Sequence, residues 1–243
     1  LSWSASAVST GSAVAGYKVY SRTVHSPSEV LDVFTSRGVG SAVVDHVLSP
    51  ELGVMVTDTL VYDSRSTNQA VATIVDLAAG TGYTYVVSAV SSSGEGFRSG
   101  SATASTTPPA PDSLVSVSQT TTSISLSWSA PVVTSGEGAA GYMLFIDDGA
   151  SGAIDSVVSC GAQGPSSTTC DATGLTGGTS YRFQVIALSP AGRSPRSEIL
   201  TESTLPAAAG AITFGNVTMT SMELFWEAPS GAEAPTGYVV YRN

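Results

Sequence analysis

Few of the 243 residues are of types that carry out chemistry, and their spacing limits what that chemistry could be. Histidine occurs only at His25 and His46. Nucleophilic hydrolysis needs a Ser or Cys with a His base and an orienting carboxylate. Serine is so abundant here that one lying near a histidine carries no information, and both histidines read as solvated loop or flap residues. Asp147-Asp148-Gly149 lacks the oxygen-rich spacing of a calcium loop. It reads as a strand-to-strand turn, where Asp and Gly supply the backbone geometry. Neither a phosphate-binding Gly loop nor a zinc-ligand cluster occurs. The expectation is therefore no catalytic residue, no bound metal and no cofactor.

Cys160 and Cys170 are the only cysteines. Two readings compete: a local disulfide, or two unrelated buried thiols. A Ser/Thr-rich, lysine-poor setting favours the disulfide and an oxidising compartment. Closing so short a loop contributes on the order of 2–3 kcal/mol by chain entropy. Asn216-Val217-Thr218 matches an N-glycosylation acceptor, a pattern that gains weight only if the disulfide places the chain in a secretory compartment.

The elements that position these residues follow from composition. Only 12% of the chain is charged while 42% is hydrophobic, and Ser, Thr, Ala, Gly and Val suit short strands and turns better than solvated helices. Nineteen acidic residues against nine basic ones, with Lys18 the only lysine, give a net charge of −10. Nucleic acid and anionic membrane surfaces are excluded as partners, because both demand clustered positive charge. No apolar run approaches the roughly 18–20 residues that span a bilayer, so no direct membrane insertion is expected in this segment.

Repetition is the strongest signal. Three segments share an alternating strand ending in Trp, a variable stretch, and Gly-Tyr opening a second apolar strand. They run from Leu1-Ser2-Trp3 to Gly16-Tyr17, from Ile124-Ser125-Leu126-Ser127-Trp128 to Gly141-Tyr142, and from Met222-Glu223-Leu224-Phe225-Trp226 to Gly237-Tyr238. Period-2 alternation puts Ile124, Leu126 and Trp128 on one face, as in a half-buried antiparallel strand. A second block occurs twice, from Leu77 to Tyr83 and from Leu175 to Tyr181, each followed at the same distance by a Gly turn, Gly94 and Gly192.

This pattern resembles the fibronectin type III domain, which implies an all-β chain of tandem immunoglobulin-like sandwiches. The resemblance implies that Trp3, Trp128 and Trp226 fill cores, and that Tyr83 and Tyr181 form tyrosine corners in which the hydroxyl bonds back to the upstream chain. Pro-rich joints at 107–111 and 204–207 set the expected modules: 1–108 lacking its first strand, 109–205 complete, and 206–243 the N-terminal part of a third. The chain is thus expected to be a cut from a longer array. The Arg-Gly-Asp tripeptide by which some modules of this family bind integrins is absent from the corresponding turns, Ser93-Gly94-Glu95-Gly96 and Ala191-Gly192-Arg193-Ser194.

One departure stands out. Trp128 and Tyr181 lie 53 residues apart, but Trp3 and Tyr83 lie 80 apart. The extra length, at about 21–70, is an insertion in the first module. Ser26-Pro27-Ser28-Glu29 predicts a capped short helix. The apolar runs 43–48 and 54–62 are too apolar for a disordered loop and predict added strands or a packed flap on one sheet edge. Loop growth tolerated by the fold and a partner-binding insertion both account for it.

The expected role is a non-catalytic structural or interaction segment of an extracellular or cell-surface protein, serving spacing, adhesion or fibre assembly. Its expected partners are other protein chains or neighbouring modules, with glycans as a second class. The alternative is an accessory segment of a secreted carbohydrate-active enzyme. An intracellular scaffold is a third reading and requires reduced cysteines.

Overall fold

The computed structural model describes residues 2, 13–25, 44–49, 54–64, 69–160, 164–231 and 234–242. The described residues contain strands and turns and no helix. The capped helix expected from Ser26 onward lies outside them, as does Trp3. The chain divides into two compact units, one holding residues 1–106 and the other nearly all of 107–243.

The first unit contains β1 (Val14–His25), β2 (Val44–Ser49), β3 (Val54–Asp63), β4 (Gly82–Ser91), β5 (Gly94–Arg98) and β6 (Ala102–Ser105). They form one antiparallel sheet in the order β2-β3-β1-β4-β5, with β6 also on β4. The apolar runs of the insertion are β2 and β3, which extend the sheet beyond β1. Alternation along β1 turns Val19 to the inner side, where it packs with Ala72 and Tyr85. Lys18, Tyr20 and Arg22 then share the opposite face. Ser2 makes an isolated bridge to Val71.

The second unit opens with β7 (Asp112–Gln119), β8 (Ser123–Ser129), β9 (Gly141–Ile146), β10 (Ser156–Val157), β11 (Thr169–Thr173), β12 (Ser180–Ser189), β13 (Gly192–Arg193) and β14 (Leu200–Ser203). One sheet runs β10-β9-β12-β13 with β14 on β12, and the facing sheet runs β11-β8-β7. This is a two-layer antiparallel sandwich. Every second residue of β8 enters the core: Ile124, Leu126 and Trp128 are buried against Tyr142, Leu144, Phe183 and Val185. The unit ends with the hairpin of β15 (Thr213–Val217) and β16 (Met222–Phe225).

The turn after β4 and the turn after β12 both place glycine where side-chain-bearing residues are strained, with φ of 123° at Gly94 and 129° at Gly192. Tyr83 and Tyr181 stand 98 positions apart, as do these glycines. By that spacing Ala72 holds in the first unit the place that Cys170 holds in the second.

Candidate functional site

The tyrosine corners are built twice from the same bonds. The Tyr83 hydroxyl accepts from the backbone N–H of Ala78 at 2.8 Å, and the Tyr181 hydroxyl accepts from that of Thr176 at 2.9 Å. Thr106 donates its hydroxyl to the Ala78 carbonyl at 2.7 Å, and Thr204 does the same to Thr176 at 2.6 Å. Each corner thus satisfies a backbone donor and an acceptor that the change of sheet leaves unpaired.

Cys160 and Cys170 are bonded to each other, with Cα atoms 5.2 Å apart. Cys170 lies on β11 opposite Leu126 of β8, so the bond ties the loop before β11 into the core. Beside it lies an open groove of about 480 Å³ lined by Ser166, Ser167, Thr168, Thr169 and Asp171. It offers hydroxyls and one carboxylate, which can hydrogen-bond a ligand.

The densest polar cluster is on the outer face of the first sheet. Asp58, with no solvent exposure, sits directly across from Arg22, which grips it with Nε and Nη2 at 2.7 Å each. Arg98 adds a third contact at 2.7 Å and lays its guanidinium 4.1 Å from the Tyr20 ring centre. Glu95 closes the other end, accepting from the Tyr20 hydroxyl and from Ser88 at 2.6 Å each and from Lys18 at 2.7 Å. Burial opposes ionisation of Glu95, but hydrogen bonds from Lys18, Ser88 and Tyr20 together outweigh it and hold the carboxyl at about 2. Burial likewise opposes charge on Asp58, and the hydrogen bonds and charges of Arg22 and Arg98 overcome it, leaving the carboxyl below its ordinary value. Such a cluster ties β1, β3, β4 and β5 together across one face of the sheet.

The remaining sequence-derived residues fall as follows. Trp128 is buried at the centre of the second unit and packs edge-on against Tyr142 at 5.5 Å. Trp226 is half-buried and meets Tyr238 in the same way at 5.3 Å. Asn216 is exposed on β15. His25 lies on β1 and His46 on β2, opposite Met55 and Thr57 of β3. Asp147 is more than a turn residue: it is buried and binds Arg182 of β12 at 2.8 Å, while its Oδ1 accepts from the N–H of Gly149. Among the described residues no group of three or more His, Cys, Asp or Glu is placed to hold a metal ion. The polar network around Asp58 was not anticipated from sequence, although Lys18, Tyr20 and Arg22 at period 2 already signal a shared polar face.

The chain is similar in part to several known proteins. The family model of the fibronectin type III domain matches residues 109–203. Protein sidekick of Drosophila melanogaster is 43% identical over 54 residues, covering 21% of this chain and 2% of that protein. Chitinase A1 of Niallia circulans is 35% identical over 139 residues, covering 53% of this chain and 18% of the relative. The chain therefore spans less than a fifth of either curated relative. A two-domain fibronectin type III segment of chicken tenascin aligns at 16% identity with a TM-score of 0.41, over 77% of this chain and 83% of that one. Domains of this family are modules of larger proteins and generally not catalytic units. With its two facing sheets, buried Trp128 and tyrosine corner at Tyr181, the segment 109–203 is a fibronectin type III domain.

Proposed function

We propose that this chain is a non-catalytic spacing and interaction segment of a larger secreted or cell-surface protein, with residues 1–108 and 109–205 as consecutive modules. The observation that carries the reading is the Cys160–Cys170 bond. It belongs to an oxidising compartment, because glutathione and thioredoxin keep cytosolic thiols reduced. The acidic balance of the chain suits solubility in such a setting and recruits neither nucleic acid nor anionic lipid. No helix among the described residues is long and apolar enough to cross a membrane. Protein chains and neighbouring modules are the partners that these sandwiches fit. Phe97, fully exposed on β5 next to Arg98, is the kind of aromatic anchor that protein interfaces use.

The test is thiol labelling with intact-mass measurement on protein recovered from its natural source without reductant. Unlabelled cysteines and the mass of the oxidised chain are expected, and quantitative labelling of both would overturn the reading in favour of an intracellular scaffold. A second reading, an accessory segment of a secreted carbohydrate-active enzyme, draws support from the 35% identity with chitinase A1. A hydrolase domain in the same polypeptide, together with retention of this chain on insoluble chitin, would select it.

A further inference from the structure

The run Ser166-Ser167-Thr168-Thr169 follows Pro165 and ends at Cys170, and every side chain in it carries a hydroxyl. Elsewhere in the second unit such hydroxyls are spent on the fold. Thr204 closes the corner at Thr176, Ser194 and Ser197 accept from backbone N–H groups of β12, and Thr120 pairs with Ser123 across a turn. In this run Ser167 is tied in the same way, accepting from the N–H of Gly164 at 3.3 Å. Among the described residues, the hydroxyls of Ser166, Thr168 and Thr169 bond to nothing. Ser166 and Thr169 are exposed, and Thr168 is half-buried.

The backbone beneath them is held on both sides. Ser167 N–H donates to the Gly164 carbonyl at 3.1 Å, Trp128 N–H donates to the Thr168 carbonyl at 3.0 Å, and the cystine fixes the end of the run. Unspent hydroxyls are thus presented at the surface on a fixed turn, and Ser- and Thr-rich runs beside proline are the composition of O-glycosylated segments.

The surroundings narrow what these oxygens take. Their groove of about 480 Å³ is within the size of small-molecule sites, about 300–1,000 Å³. Such sites draw affinity from apolar and aromatic linings, whereas this one is lined by hydroxyls, the cystine and Asp171. A covalently attached group needs no such lining, because attachment removes the translational and rotational cost of association. A phosphate there would meet the Asp171 carboxylate on a chain of net charge −10, and like charges repel. A neutral polar group suits the setting, with Asp171 and the neighbouring hydroxyls as hydrogen-bond partners.

We propose that Ser166 and Thr169 form an O-glycosylation site, taking a neutral hexose or N-acetylhexosamine on their side-chain oxygens; this rests on the secretory reading above. In the transfer, a glycosyltransferase base removes the hydroxyl proton, and the oxygen bonds to the anomeric carbon of a nucleotide- or lipid-phosphate-activated sugar. The sugar–phosphate bond breaks, its electron pair leaving with the phosphate.

The test takes the full chain from its natural source, reduces it and cuts it before aspartate, which releases residues 155–170 as one peptide. Electron-transfer fragmentation then locates any added mass. A neutral-sugar increment on either oxygen, Ser166 or Thr169, is the expected result. The paired Ser166→Ala and Thr169→Ala variant, made in the same source, should lose that increment while Cys160 and Cys170 stay bonded, which shows that the variant folds. An unmodified peptide from protein whose cystine is intact would overturn the proposal and leave the secretory reading standing. A phosphate or sulfate increment would overturn it as well, and so would sugar retained on 155–170 in the variant. Quantitative thiol labelling of both cysteines before reduction would instead remove the secretory reading, and the proposal with it.

Discussion

The two sheets built on a Gly-Tyr strand, β1 in the first unit and β9 in the second, share a plan and are held by different forces. In the second unit the face of β9 that bears Tyr142 and Leu144 looks onto a continuous apolar core, and a cross-link ties β11 to the preceding loop. In the first unit the buried cluster around Val19 is small, and Ala72 replaces the cross-linked cysteine. The opposite face instead carries buried Asp58 clamped between two arginines, with Glu95 anchoring Tyr20 and Lys18. One device is common to both: an arginine laid over an aromatic ring, Arg98 on Tyr20 at 4.1 Å and Arg196 on Phe145 at 4.2 Å. The comparison teaches that this architecture tolerates a change of cement, provided the corner bonds and the strand plan are kept.

The sharpest way to break the comparison is to remove the apolar centre of the second unit. Phe183 is completely buried, and Phe183→Ala should cost about 3–5 kcal/mol in denaturant unfolding of that unit. Amide exchange in the first unit should stay unchanged, and a loss shared by both units would show that they do not fold separately. Opening the cross-link comes next: the paired Cys160→Ser and Cys170→Ser variant should lose about 2–3 kcal/mol, again confined to the second unit.

The converse experiment targets the first unit. Asp58→Asn removes the charge that two arginines share, and should destabilise the β1–β3 pairing by about 2 kcal/mol while leaving the second unit alone. Acid should act on the same face. Glu95 ordinarily titrates at 4.5 and is held at about 2 in the folded chain. A depressed carboxyl contributes stability that is complete above the unfolded value and fades as pH falls through the folded one. First-unit stability should therefore decline from pH 4.5 toward pH 2, as followed by exchange at β1 and β4. A flat profile through that window would show that the network contributes nothing.

The smallest effect sharpens the picture of the second core. Among the described residues, the buried Tyr142 hydroxyl and Trp128 indole nitrogen have no hydrogen-bond partner. Removing an unsatisfied hydroxyl recovers its desolvation cost, so Tyr142→Phe should change stability by less than about 0.5 kcal/mol or raise it. A loss above 1 kcal/mol in thermal unfolding, on the order of one good hydrogen bond, would reveal a partner for that group.

How much of this the chain announced depended on the distance over which each feature is encoded. Alternation in 124–128, the corner block at 175–181 and the paired cysteines are local patterns, so strands, fold and a candidate cross-link could be read directly. The apolar runs within the insertion likewise announced β2 and β3. The Asp58 network could not be read in that way. Arg22 and Asp58 are 36 residues apart, and they meet only because β3 pairs with β1 in one particular register. A one-residue slip would turn the carboxylate to the other face. Asp147 was half legible for a related reason: its turn is local, but its partner Arg182 comes from a strand 35 residues on.

The position of the Cys160–Cys170 bond has a mechanical consequence. The two cysteines are ten positions apart, and fully extended that stretch would span about 33–36 Å. The bond holds their Cα atoms at 5.2 Å. If the module is pulled from its ends and unravels, a force borne by the backbone bypasses this loop through the sulfur atoms. With the bond intact, the taut chain is shorter by roughly 30 Å, so the redox state of one cystine sets how far this module can lengthen under load.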